Sequence, residues 1–169
     1  MQRPMPFSPM KRALGLRFSR DADMATTLED EHKIIEGVLA QLEAMADALP
    51  ALPPVSALES VVLHLRESIP AHCRHEEQVL AERIADASGM TDHDLHVSRQ
   101  ALALLREEHI ANEAIAHELA DALEDCIAAG ETLAAESLGQ LARQFFMLIR
   151  RHMAWEEFVL DILAQPQGT

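Results

Sequence analysis

Apolar residues recur along this chain in alternating steps of three and four, the spacing of one face of an α-helix. Leu28, His32, Ile35, Leu39, Leu42, Ala46 and Leu49 form the first such run. Thr26 with Glu29 has capping-box spacing at its start, and Pro50, Pro53 and Pro54 close it. Ser56 with Glu59 opens a second run through Leu58, Val62, Leu65, Ile69, His72, Glu76, Val79 and Arg83 to the Ser88-Gly89 break. Pro70 lies inside it, which removes a backbone hydrogen bond and predicts a kink two residues before His72. Whether that kink aims the residues after it or is only tolerated is open. Thr91 to Asp94 signals a third start, followed by Leu102, Leu105, His109, Asn112 or Glu113, Ala116, Leu119 and Leu123, with Gly130 at the end. A fourth run begins around Thr132 and carries Leu138, Leu141, Phe145, Ile149, His152, Glu156, Val159 and Leu163 before Pro166. Four long amphipathic helices with short connections predict an all-α fold, an antiparallel up-down-up-down four-helix bundle.

The polar residues within these stripes follow a rule of their own. His32 with Glu36, His72 with Glu76, His109 with Glu113 and His152 with Glu156 each stand four residues apart, one pair per helix. Side chains at i and i+4 share a helix face. Four of the nine histidines have Glu at that offset, against about one expected by chance at ordinary Glu frequency. The levels agree as well. His32 and His72 lie 20 residues either side of position 52, within the Pro-rich turn, and His109 and His152 lie 21 and 22 residues either side of Gly130, in the next turn. All four pairs can therefore meet in one layer. The halves also read as a repeat: Glu31-His32 matches Glu108-His109, and HCRHEEQVL (72–80) matches HMAWEEFVL (152–160).

Composition supports helices and narrows the partners. Tyr is absent and there are only six glycines, which favours helix over sheet. The formal charge of −14 is unevenly spread, because residues 1–20 hold five basic groups and no acid. The remaining 149 residues therefore carry 9 basic against 28 acidic groups, a net of −19. Such a body is unsuited to nucleic acid or to an anionic membrane surface, and neither is expected as a partner. Cys73 and Cys126 are too few for a disulfide framework, and no run reads as a secretory signal or membrane span. A cytoplasmic protein is expected. Residues 1–25 read as a basic flexible arm, either docking on the acidic body or extending a chain that starts at Met24. Residues 26–165 form the bundle and 166–169 a tail. Oligomeric state is not legible.

Buried carboxylates at one level repel each other unless cations neutralise them, and no Lys or Arg stands on the stripes near the histidines. Imidazole with carboxylate suits iron, manganese or zinc, and the ligand set is too large for one tetrahedral zinc. Two iron ions are the expected cofactor, with manganese or zinc as alternatives.

The order of a lone His on the first helix, HxxxEE on the second, EH on the third and HxxxEE on the fourth resembles the hemerythrin-like, HHE cation-binding family over roughly residues 27–164. The resemblance implies His32, His72, His109 and His152 as iron ligands, with Glu76 and Glu156 bridging two ions. Oxygen-carrying members place a second His one turn after the third-helix ligand, where this chain has Glu113. An added carboxylate favours the ferric state and speaks against reversible oxygen carriage. Glu36 falls outside the family pattern and is a candidate ligand, outer acceptor or plug on an open position. The implied function is binding or sensing of oxygen, nitric oxide or peroxide. The alternatives are an enzyme that decomposes peroxide or reduces nitric oxide with an electron donor, and an iron store or delivery protein. His64, His75, His93, His96 and His117 are expected at the surface, and Trp155, Phe145, Phe146 and Ile149 in the core.

Overall fold

A computed structural model describes residues 27–86, 91–132 and 134–164. The basic arm at 1–25, the alternative start at Met24, the Ser88-Gly89 break and the tail at 166–169 lie outside them. The described residues are all-helical: α1 (Leu28–Ala48), α2 (Val55–Leu63) continuing through a wider π turn (His64–Ser68) into α3 (Ile69–Asp86), α4 (Asp92–Ala129) and α5 (Ala135–Ala164). Because α2, the π turn and α3 keep right-handed helical dihedrals at their junctions, they form one rod. The elements thus make four helices, as the periodicity predicts.

The ends show where local signals hold and where they do not. Thr91 and Asp94 form the capping box in full, and Gly130 ends α4 in the left-handed conformation at φ 70°. At α1 the cap falls one residue later than expected, on Thr27, whose hydroxyl accepts from the Asp30 amide. At α2 the expected Ser56 capping box does not form. Pro54 occupies the cap position without a side-chain bond, and Val55 already lies in the helix, because the proline dihedral is compatible with a helix start and leaves Ser56 inside the first turn. α5 starts at Ala135, later than the expected Thr132. Thr132 instead donates its hydroxyl to the Pro50 carbonyl at 2.6 Å, which ties the turn after α4 to the turn after α1.

Pro70 follows the π turn with only Ile69 between. Its ring would clash with the carbonyl four residues back, that of Arg66. The backbone widens around that carbonyl, so that the Ile69 amide donates to His64 one residue further back than in an α-helix. The helix then continues through Pro70.

α1 packs on α5, α3 on α4 and α4 on α5. Ile35, Leu39, Leu42, Leu58, Leu65, Ile69, Leu119, Leu123, Phe145 and Ile149 form the main apolar core. Arg66, in the π turn, ties that segment to α4 through Asp121 and Glu124. Leu80, Ile84 and Leu105 are also buried but stand apart from this cluster. Between the two regions the interior is polar.

Candidate metal centre

His72, Glu76, His109, Asn112, His152 and Glu156 are the buried polar or charged residues among those described. Five of them, with the part-buried His32, form two groups in which every residue offers a ligand atom within 4.8 Å of the others. One is His32, His72 and Glu156, and the other is Glu76, His109 and His152. Each group takes its two imidazoles from one half of the chain and its carboxylate from the other. This exchange follows from packing, since Glu76 and Glu156, one turn beyond His72 and His152 on their helices, reach across to the opposite pair.

The two groups are nearly the same object twice. The His32 and His72 rings stand 4.8 Å apart at 69°, and the His109 and His152 rings repeat both values. His32 Nε2 lies 2.7 Å from Glu156 Oε2, and His72 Nε2 lies 3.7 Å from the same oxygen. Glu76 Oε2 lies 2.9 Å from His109 Nε2 and 3.2 Å from His152 Nε2, which are themselves 3.1 Å apart.

The outer ring nitrogens face a second set of carboxylates. Glu31 lies 3.0 Å from His72 Nδ1, Glu77 lies 2.9 Å from His109 Nδ1, and Glu108 lies 3.4 Å from His152 Nδ1. Arg106 holds the other oxygen of Glu77 at 3.0 Å. A carboxylate beside Nδ1 accepts a hydrogen bond from the ring N–H there, which leaves Nε2 of a neutral imidazole as an acceptor. In the second group two Nε2 lone pairs and a carboxylate oxygen then meet with no donor among them. Such a convergence needs a proton or a cation. His72 Nε2, Glu76 Oε1 and Glu156 Oε1 are also buried without a hydrogen-bond partner, and buried polar atoms are rarely left so. The donor set of imidazole nitrogen and carboxylate oxygen fits a divalent transition cation in each group, and the two spare Glu oxygens fit carboxylates shared between ions.

Protons fill the same need when no cation does. Burial opposes charge on His109, but Cys73, Glu76 and Glu77 outweigh it, and its pKa is pushed up to about 11. Burial would raise the Glu156 carboxyl, yet the hydrogen bond from His32 and the nearby His72 imidazole bring it down to about 2. Glu76 is likewise lowered against its burial by His109 and His152, and His72 is raised against its burial by Glu156 and Glu31.

Of the eight candidate ligands, His32, His72, Glu76, His109, His152 and Glu156 come together, whereas Glu36 and Glu113 belong to neither group. Glu36 is half exposed and faces Arg150, with 3.8 Å between charged atoms. Glu113 is half-buried, and its neighbour Asn112 takes the buried position on that turn. His93, His96 and His117 are exposed, and His64 bonds to Ser68. His75, expected at the surface, is instead part-buried and shares Glu31 with His72, at 2.9 Å. Glu31, Glu77 and Glu108 had no assigned role in the sequence. Their signal was present in the doublets Glu31-His32, Glu76-Glu77 and Glu108-His109, since adjacent residues lie about 100° apart around a helix and address different neighbours.

A helical bundle with paired His/Glu groups inside it defines a class of cation-binding domains. Residues 23–161 match the family model described as hemerythrin HHE cation binding domain, which covers most of the chain. The chain belongs to that family. No curated protein and no solved structure matches it.

Proposed function

We propose that the protein is a non-haem di-iron protein that binds or senses a small ligand, oxygen, nitric oxide or peroxide, inside an up-down-up-down antiparallel bundle. The observation that carries this reading is the pair of three-residue groups, each with two imidazoles around one carboxylate and a spare, unpartnered Glu oxygen. His32, His72 and Glu156 would hold one ion, and Glu76, His109 and His152 the other, with Glu76 and Glu156 shared. The tie from Thr132 to Pro50, joining the turns after α4 and α1, supports the antiparallel order.

Bound iron supplies Lewis-acid and one-electron redox chemistry. The protein's own contribution is to bury the carboxylates and fix the imidazoles, with Ile69, Cys73, Ile149 and Met153 buried next to them in sequence or one turn away. A small ligand suits this interior. Among the described residues, grooves of about 320 and 470 Å³ are lined around Leu42 and Leu58 and around Val62 and Ile127, away from the polar layer. No helix of the described residues is long and apolar enough to cross a membrane, which fits a cytoplasmic role.

The test is metal content and the ultraviolet-visible spectrum of protein purified from iron-replete cells, beside a His72→Ala, His152→Ala double variant. About two iron atoms per chain with oxo-bridged ferric absorption, both lost in the variant, are expected. A wild type that takes up neither iron, manganese nor zinc overturns the reading. Added nitric oxide, oxygen and peroxide then separate a binder, which changes its spectrum reversibly, from an enzyme, which consumes the ligand.

A further inference from the structure

The acid in each doublet serves the neighbouring helix. Glu31 precedes His32 on α1, yet its carboxylate lies on His72 of α3 at 3.0 Å. Glu77 follows Glu76 on α3 and lies on His109 of α4 at 2.9 Å. Glu108 precedes His109 on α4 and lies on His152 of α5 at 3.4 Å. Three of the inward-facing residues, His32, Glu76 and His109, therefore have beside them in sequence an acid that grips the back of the imidazole on the next helix.

We infer that Glu31, Glu77 and Glu108 are positioning residues, which fix the ring orientation of His72, His109 and His152 so that each Nε2 faces inward. The inference rests on the metal-centre reading for its purpose, although the contacts are features of the protein chain alone. An imidazole held only by its Cβ rotates about χ2 and presents either nitrogen. A carboxylate on Nδ1 holds the ring in one orientation and raises its basicity as a ligand, an effect that typically changes metal affinity by about 10- to 100-fold. Glu77 is the firmest of the three, since Arg106 anchors its second oxygen. Glu31 is divided between His72 and His75, so His75 orients Glu31 as Arg106 orients Glu77. The arrangement ties ligand geometry to helix packing: α1 holds a ligand of α3, α3 one of α4, and α4 one of α5.

The experiment uses the full chain with zinc alone as probe, in wild type, Glu77→Ala, Glu77→Gln and Glu31→Ala. Zinc affinity and stoichiometry are measured by competition with a chelating dye. The exchange rates of assigned imidazole Nδ1 protons are measured by NMR on the zinc-loaded and zinc-free proteins. Glu77 and Glu31 are partly exposed, so the variants fold, and circular dichroism verifies it. In Glu77→Ala the His109 Nδ1 proton loses its protection while that of His72 keeps it, and zinc affinity falls roughly 10- to 100-fold. Glu31→Ala gives the reverse pattern of protection. Glu77→Gln, whose amide oxygen still accepts, retains part of the wild-type behaviour.

Unchanged affinity together with unchanged His109 protection in Glu77→Ala overturns the inference, as does a loss spread equally over His72 and His109. Zinc-free wild type that can be loaded with neither zinc, iron nor manganese defeats the metal-centre reading instead. In that case the positioning claim is decided on the zinc-free protein: it stands if Glu77→Ala speeds exchange at His109 alone, and falls if the rates match wild type.

Discussion

Two neighbouring regions of the bundle interior are built on opposite principles. Toward the turns after α1 and α4, the helices meet through Leu42, Leu58, Leu123 and Phe145, all essentially inaccessible to solvent. One turn beyond Ile69 and Ile149, the same helices meet through His72, Glu76, His152 and Glu156, which are just as buried. The first region stabilises the fold by removing hydrocarbon from water. The second opposes the fold unless a proton or a cation joins it. Stability and chemistry are thus assigned to different lengths of the same helices, and removal of a cation should be felt in only one of them.

The largest effect expected is in the apolar region. Phe145→Ala should cost about 3–5 kcal/mol, as for a fully buried aromatic, and urea denaturation should show the same loss with metal bound or chelated. A loss that depends on metal would mean that the two regions are coupled. Next in size is the response to a chelator. Removing metal from the wild type should lower its melting temperature, since a ligand bound only to the folded state stabilises it. A Glu76→Gln, Glu156→Gln double variant should be indifferent to the chelator, and its metal-free form should be less stable than metal-free wild type, because the buried imidazoles lose the carboxylates they pair with.

The metal-free protein should also have a narrow pH range of best stability. His109 is raised from 6.5 to about 11, so its contribution is complete below 6.5 and is lost as pH rises toward 11. Glu156 is lowered from 4.5 to about 2, so its contribution is complete above 4.5 and is lost as pH falls toward 2. Denaturation of metal-free protein should therefore be hardest between 4.5 and 6.5, and a maximum at pH 9 would contradict the proton-filled layer. The smallest effects belong to the two acids outside the groups. Glu36→Gln should change stability by less than about 0.5 kcal/mol, and neither Glu36→Gln nor Glu113→Gln should change the number of metal ions bound. Loss of an ion on changing Glu113 would bring that residue back into the centre.

The four helices were legible from the chain because burial imposes a 3.6-residue period on any helix that packs by one face. The histidine layer was legible for the same reason, since His72, Glu76, His152 and Glu156 fall in step with Ile69 and Ile149. Local chemistry decided the capping box at Thr91 and the left-handed Gly130, which need no partner from elsewhere in the chain. The turn around Pro70 was only half legible. Proline demands that the ladder be broken, but that the break takes the form of a π turn over His64–Ser68 is not written in the spacing.

Tertiary structure alone decided which acids enter the layer. Glu36, Glu76 and Glu113 share one sequence relation to a histidine, four residues on, yet only Glu76 is fully buried among the imidazoles. A helix has one inward line but two neighbours, and a small rotation moves a residue from that line to its edge. Asn112 rather than Glu113 is buried for this reason, and Arg150 draws Glu36 outward. The exchange of Glu76 and Glu156 between the halves is likewise invisible in spacing, because it depends on how far each carboxylate reaches across the interior. Sequence period fixes what each helix brings to the centre, while packing fixes which helix receives it, since the distances that decide hydrogen bonds are set by contacts between segments more than a hundred residues apart, as between His32 and Glu156.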